Sequence, residues 1–136
     1  NTGVINKIAL IVLGGTMLLV LSLYWFGRKE DNIKVDGQHL IIEGVYGVRL
    51  DKEEISELAL IPELPVIDRK KHGFSNGQQY KGKFKTEDGS EVLLILNSMQ
   101  RPFIMIKPKG DMPIYYSSGS QKNEEIFEII EHLDDQ

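Results

Sequence analysis

Side chains that could do nucleophilic, acid–base or metal chemistry are scattered along the chain. The histidines stand alone, with no second ligand at a spacing typical of metal sites. Several serines lie in a glycine-containing turn before a predicted helix, without the GxSxG context that exposes a nucleophile. Cysteine is absent, which excludes a thiol nucleophile and a thiolate metal site. We therefore predict no catalytic residue, no metal, no cofactor and no enzymatic activity. The residues considered are His39, His72, His132, Ser117, Ser118 and Ser120.

One segment concentrates positive charge. Residues 69–85, RKKHGFSNGQQYKGKFK, carry six Lys or Arg and no acid, although the chain has a net charge of −4. Side chains alternate between the faces of a strand, so Lys81, Lys83 and Lys85 are predicted to share one face. The preceding basic residues lead into a predicted polar loop that contains Phe74. The candidate binding residues are Arg69, Lys70, Lys71, Phe74, Lys81, Lys83 and Lys85.

Three interpretations of this basic segment stay open. Lysines on an edge strand discourage sheet-to-sheet aggregation, so the segment could be a solvated surface. The cations could instead neutralise the acidic residues near the C-terminus, within 124–135. The functional alternative is an anionic surface, either lipid headgroups or an acidic protein. The acidic balance of the whole chain argues against nucleic acid as the main partner.

The N-terminal residues predict a membrane anchor. The 19 residues from Ile8 to Phe26 are uncharged. As a helix they would extend about 28 Å, close to the roughly 30 Å hydrocarbon core of a bilayer. Tyr24 and Trp25 would lie at the headgroups. The run has no small-x-small cleavage site of a signal peptide and no polar stripe of a core helix. Asn1 in place of methionine is typical of a processed or truncated chain.

The 136 residues support one modest domain beyond this helix. Short alternating runs predict strands, with hairpins over Asp36-Gly37 and over residues 87–90. Residues 91–96 lose alternation, which is typical of a strand covered on both faces. Isoleucine and leucine at 126, 129, 130 and 133 predict an amphipathic helix, with Asn123 as its N-cap.

The predicted fold is therefore an N-terminal transmembrane helix followed by a mainly-β domain. That domain is expected to be a bent antiparallel sheet or barrel of about seven strands, capped by a C-terminal helix. The predicted divisions are an anchor over 1–27, a juxtamembrane linker over 28–32 and the β-domain over 33–134.

This arrangement resembles the pleckstrin-homology (PH) superfold, and more closely the bacterial PH-like domains attached to membrane helices. The residues that carry the resemblance are LIIEGVYGVRL, ELPVIDRKKHGFSNGQQYKGKF and RPFIMIKP. They contain a Gly-x-Tyr-Gly step, a Leu-Pro before a glycine-rich loop and a Lys-Gly-x-Phe at the next strand. The resemblance implies a bent antiparallel barrel with a helical cap and a binding role, and it transfers no catalytic residue.

The predicted function is a membrane-anchored, non-enzymatic binding or scaffolding module that acts through protein contacts at the bilayer. One alternative is recognition of anionic lipid headgroups by the basic strand and loop. Another is a small membrane-tethered hydrolase. The chain is predicted to be a single-pass protein of the cell membrane with its soluble domain in the cytoplasm. That orientation follows from Arg28, Lys29 and Lys34 after the apolar run, against Lys7 before it.

Overall fold

The computed structural model describes the backbone of residues 2–27, 30–76 and 79–135, and the side chains of residues 3–20, 30–68 and 79–133. The first element is the helix α1 (Thr2–Gly27). Within the described part of the chain, α1 is the one helix long and apolar enough to cross a membrane. Its described side chains are exposed on every side. The predicted apolar helix is confirmed, and its passage through a membrane stays a prediction.

A three-stranded antiparallel sheet follows. Its strands are β1 (Ile33–Asp36), β2 (His39–Ile42) and β3 (Val48–Asp51), in the order β1-β2-β3. The predicted turn over Asp36-Gly37 joins β1 to β2. Gly37 has a φ of 62°, a left-handed conformation that glycine adopts without steric cost. Buried Leu40, Ile42 and Leu50 supply the apolar face of this sheet.

The remaining strands form a second sheet of six. They are β4 (Ile55–Ile61), β5 (Ile67–Asn76), β6 (Gln79–Thr86), β7 (Glu91–Leu96), β8 (Phe103–Pro108) and β9 (Ile114–Ser117). The strand order is β4-β8-β9-β7-β6-β5, so β4 and β5 are the outer strands. The predicted hairpin of β6 and β7 is confirmed.

This topology corrects the predicted barrel of about seven antiparallel strands. The described residues form nine strands in two sheets, and neither sheet closes on itself. Moreover, β7 and β9 are parallel, with Leu93 opposite Ile114 and Leu96 opposite Ser117. The parallel pair arises because the connection after β7 leaves room for one strand between β7 and β8. The β8–β9 hairpin then places β9 in that space, between β7 and β8.

The six-stranded sheet is covered on both faces. On one face, Ile95, Ile104 and Tyr116 pack in a cluster with the three-stranded sheet and the C-terminal helix. On the other face, Leu94 and Phe103 belong to a second cluster, against which the partly buried Leu64 of the β4–β5 connection packs. The prediction that residues 91–96 form a strand covered on both faces is confirmed.

The C-terminal helix is α2 (Asn123–Glu131), continued by a 3₁₀ turn (His132–Asp135). Ile126, Ile130 and Leu133 are buried, which confirms three of the four positions predicted for the apolar face. Ile129 is 57% exposed and lies beside that face. The N-cap prediction is wrong, because Lys122 occupies the cap position and Asn123 is the first helical residue.

Residues 69–76 were expected to run into a polar loop, but they continue as strand β5. The strand pairs with β6 through a register that shifts twice, between Ile67 and Arg69 and between Lys70 and His72. Such irregularities, or β-bulges, are common on edge strands. A basic, bulged strand lacks a regular apolar alternation, so its sequence carries little strand signal.

Strand pairing brings one set of loops to the end of the domain where the chain arrives from α1. We call this set the anchor-proximal end, and it consists of residues 30–32, 43–47, 97–101 and 118–122. The opposite, distal end consists of the turns at residues 37–38, 87–90 and 109–113. Lys81 lies near the anchor-proximal end of β6, and Lys85 lies near its distal end.

Candidate functional site

The β5–β6 hairpin carries all the basic residues predicted to bind a partner. In its backbone register, Arg69 lies opposite Lys85 and Phe74 lies opposite Lys81. The side chains at positions 69–76 lie outside the described residues, so the predictions for that half of the hairpin concern backbone positions alone. They are the predictions for Arg69, Lys70, Lys71 and Phe74.

Lys81 turns inward. Its side chain is 5% exposed, and its Nζ lies 3.2 Å from Oδ2 of Asp31, whose side chain is 13% exposed. A lysine so deeply buried requires an anionic partner, because a desolvated charge without one is costly. The two charges therefore neutralise each other inside the domain. The acid that neutralises Lys81 precedes β1, whereas the sequence suggested acids of the C-terminal segment.

The other two lysines of β6 have different surroundings. Lys83 is exposed, and Lys85 is partly buried and directly opposite Glu91 on β7. Opposite charges at facing positions of an antiparallel pair attract each other. Among the three lysines predicted to share one face, Lys83 is thus the one that the described structure leaves at the surface.

Glu30 is held by the loop between β9 and α2. Its Oε1 accepts hydrogen bonds from Ser118 Oγ at 2.8 Å, from the Gly119 backbone N–H at 2.8 Å and from Ser120 Oγ at 3.2 Å. Three donors thus converge on one carboxylate oxygen. Ser118 and Ser120, considered above as nucleophiles, act here as hydrogen-bond donors.

The backbone of Asp31 is fixed as well. Its N–H donates to Asn97 Oδ1, and its carbonyl oxygen accepts from Asn97 Nδ2, both at 2.8 Å. The Tyr116 hydroxyl donates to the same carbonyl at 2.8 Å. Burial, and secondarily the negative charge of Glu30, raise the pKa of Tyr116 above its usual 10.0, so the hydroxyl remains a donor.

Asn123 joins the loops behind this contact. Its Oδ1 accepts from the Ser118 N–H at 2.9 Å, and its Nδ2 donates to the carbonyls of Gln100 and Pro102 at 3.1 and 2.8 Å. Asn123 is fully buried. The residue predicted to cap α2 instead connects the β7–β8 loop to the β9–α2 loop. This polar cluster was not predicted, because its members come from four separate parts of the sequence.

The arrangement as a whole fixes the chain that leaves α1 onto the folded domain. Residues 30–32 contact three loops, and the Glu43 N–H donates to the Asn32 carbonyl at 3.0 Å. Two residues separate Gly27 from Glu30. At most about 11 Å of extended chain can therefore lie between the end of α1 and the first fixed residue.

The two histidines whose side chains the structure describes do not assemble a site. His39 forms an ion pair with Asp51 across β2 and β3, provided that the imidazole is protonated. His132 is exposed in the C-terminal 3₁₀ turn, and the side chain of His72 lies outside the described residues. Over residues that the structure describes, no group of three or more His, Asp or Glu could hold a metal ion.

Comparisons of the chain with protein-family models, with curated proteins and with solved structures found no match. Its function is therefore argued from its own residues.

Proposed function

We propose that the chain is a membrane-anchored module that binds another protein at the bilayer and does not catalyse a reaction. The observation that carries the proposal is the fixed connection at Glu30–Asn32. Because at most about 11 Å of chain separates α1 from these fixed residues, the domain would stay close to the membrane that holds α1. That closeness suits a scaffold, because a partner in the same membrane then meets the domain within a narrow range of heights.

The anchoring half of the proposal rests on α1. Its 26 residues correspond to about 39 Å of helix, enough to cross a hydrocarbon core of roughly 30 Å. The 18-residue window from Gly3 to Val20 has no side chains buried against protein. A helix that is apolar all round and uncovered is stable where the solvent is also apolar.

The direction of β6 favours a protein over a lipid as the partner of the basic strand. Lys81 is engaged with Asp31, so it contributes no free charge to an outer ligand. Lys83 and Lys85 lie two and four residues farther from the anchor-proximal end, or about 7 and 13 Å along the strand. The exposed Lys83 therefore lies on the side of the domain, away from headgroups at the anchor-proximal end.

The hydrolase alternative has less support. A groove of about 310 Å³ between β4 and α2 is lined by Ser56, Glu57, Glu131 and Lys52, among others. The Ser56 hydroxyl donates to the Lys107 carbonyl at 3.0 Å, so its proton is directed at the backbone. No histidine is among the residues that line this groove. A nucleophile must give its proton to a base, whereas the Ser56 hydroxyl gives its hydrogen bond to a backbone carbonyl.

Two finer proposals accompany the first. A mainly-β domain followed by a helix supports a relationship to bacterial PH-like domains, although the parallel β7–β9 pair departs from the all-antiparallel barrel of that superfold. The cytoplasmic orientation rests on the cations Arg28, Lys29 and Lys34 against Lys7, since positive charge is enriched on the cytoplasmic side of membrane helices.

Co-purification of the full chain in mild detergent tests the proposal. A protein that binds through the basic strand should be recovered with the parent chain and lost with Lys83→Glu, which reverses an exposed charge. Lys109→Glu is the matched control, because Lys109 is an exposed lysine at the distal end. Equal recovery with both variants contradicts a role for the basic strand. If the partner is lost when anionic lipid is added but is retained when neutral lipid is added, the headgroup alternative is favoured.

A further inference from the structure

The anchor-proximal end has an outer surface with two apolar tips. Val45, in the β2–β3 loop, is 85% exposed and is the most exposed large apolar side chain among the described residues of the domain. Met99, in the β7–β8 loop, is 39% exposed. Exposed apolar side chains are common singly, so their position needs a second argument.

That argument is the chain connection. Both loops contact the segment that follows α1. The β2–β3 loop touches it through the Glu43–Asn32 backbone hydrogen bond, and the β7–β8 loop through Asn97 and Asp31. Since Glu30 lies within about 11 Å of the end of α1, these loops are among the described parts of the domain that lie close to that helix end.

The charge of this surface points in the same direction. The first two acids after α1 are held within the domain, Glu30 by its three donors and Asp31 by Lys81. Glu43 in the same region is paired with Lys34, whose Nζ lies 3.4 Å from its carboxylate. Exposed Lys122 adds a positive charge. Acids paired with lysines, as Asp31 and Glu43 are, and an exposed cation such as Lys122 suit contact with an anionic leaflet.

We infer that the tips carrying Val45 and Met99 rest in the interfacial layer of the bilayer that holds α1. The inference rests on the proposed anchoring and adds a second point of membrane contact to it. The domain is then seated on the membrane through its anchor-proximal end. The distal end and the side formed by β5 and β6 face the surrounding solution.

Single-cysteine labelling of the full chain tests this arrangement, because the chain contains no cysteine of its own. The variants Val45→Cys and Met99→Cys carry an environment-sensitive fluorophore after reconstitution into vesicles with anionic lipid. Val66→Cys is the matched control, since Val66 is also an exposed valine, at 64%, and its carbonyl accepts from Glu87 at the distal end. A quencher attached to the upper acyl chain of the lipid reports contact.

Labels at positions 45 and 99 should lose several times more fluorescence to the lipid-borne quencher than the label at 66. If the protein floats with the vesicles but quenching is equally weak at all three positions, the inference is overturned and the proposed anchoring is unaffected. Failure of the protein to float with vesicles contradicts the anchoring itself. A third outcome is that the labels at 45 and 99 are shielded from a water-soluble quencher and are also not quenched by the lipid-borne one. Such labels would be covered by protein, and this result too overturns the inference.

Discussion

The two ends of the β-domain are built in different ways. At the anchor-proximal end, side-chain hydrogen bonds join residues far apart in sequence, as between Glu30 and Ser120, which are 90 positions apart. At the distal end, the β6–β7 turn is held by bonds over two to four residues, among them Thr86, Asp88 and Ser90. The distal turn can form from local sequence alone, whereas the anchor-proximal end forms only when the whole domain has folded.

This difference indicates where the domain is sensitive to change. A substitution among the long-range contacts alters both the stability of the domain and its attachment to the chain from α1. A substitution in a locally bonded turn alters mainly that turn.

The largest effect is expected for Lys81→Met. The change keeps an apolar stem of similar length but leaves the Asp31 carboxylate buried without its cation. We expect a loss of about 3–5 kcal/mol in the free energy of unfolding. The control is Lys83→Met, two residues along the same strand and exposed, which should change stability by less than about 0.5 kcal/mol. Urea unfolding in mild detergent, followed by the near-ultraviolet circular dichroism of the tyrosines, measures both.

A double variant separates the charge from the shape of this pair. Combining Lys81→Met with Asp31→Asn removes both charges, and most of the lost stability should return because a neutral pair carries a far smaller desolvation penalty. The amide keeps the size of the original side chain. A double variant as unstable as Lys81→Met alone would show that the surrounding hydrogen bonds, and not the unpaired charge, determine the loss.

The second prediction compares two glycines of similar backbone conformation. Gly44 at the anchor-proximal end has a φ of 118°, and Gly89 at the distal end has a φ of 91°. Alanine at either position should cost about 1–3 kcal/mol through the backbone. At Gly44 the new Cβ would also lie 2.4 Å from the Asp31 carboxylate, whereas nothing lies within 4 Å of a Cβ at Gly89.

Because Asp31 is held by Lys81, it cannot move away without weakening the ion pair. Gly44→Ala should therefore be less stable than Gly89→Ala by a further 1–3 kcal/mol or so, as for overpacked sites. Thermal unfolding of the two variants side by side measures the difference. Equal losses would mean that Asp31 can adopt another position at little cost.

The distinction between local and long-range contacts also explains which features could be predicted from the sequence. Turn dipeptides and alternation identify β1–β2 and β6–β7, and the spacing of Ile126, Ile130 and Leu133 identifies α2, because these signals are local. The apolar run of α1 is equally direct. Element type was thus predictable wherever neighbouring residues determine it.

Features that depend on distant residues were not predictable in this way. Alternation places Lys81 on a face but does not reveal that Asp31, fifty positions earlier, covers it. The charged residues Glu30 and Asp31 are typical of a linker by composition, and their partners come from loops near positions 97 and 118. The parallel pairing of β7 with β9 likewise depends on where the β8–β9 hairpin docks, which no adjacent residue specifies.

The smallest expected effect is that of Asp88→Asn in the distal turn. Hydrogen bonds from the Thr86 hydroxyl, and then from Ser90, lower the pKa of Asp88 below its ordinary value of 3.8. A lowered pKa in the folded state means that the charged form stabilises the turn above pH 3.8 and that this contribution is lost as the pH falls through the folded-state pKa. The asparagine amide still offers an oxygen to both donors but carries no charge.

The variant should melt at a slightly lower temperature than the parent at neutral pH, and the gap between the two melting temperatures should close in acid. Asp88 is fully exposed, so solvent screens its charge and the change concerns the turn alone. Melting curves of both proteins from neutral to strongly acidic pH measure the gap. A gap that persists unchanged in acid would assign the effect to altered hydrogen-bond geometry and not to the carboxylate charge.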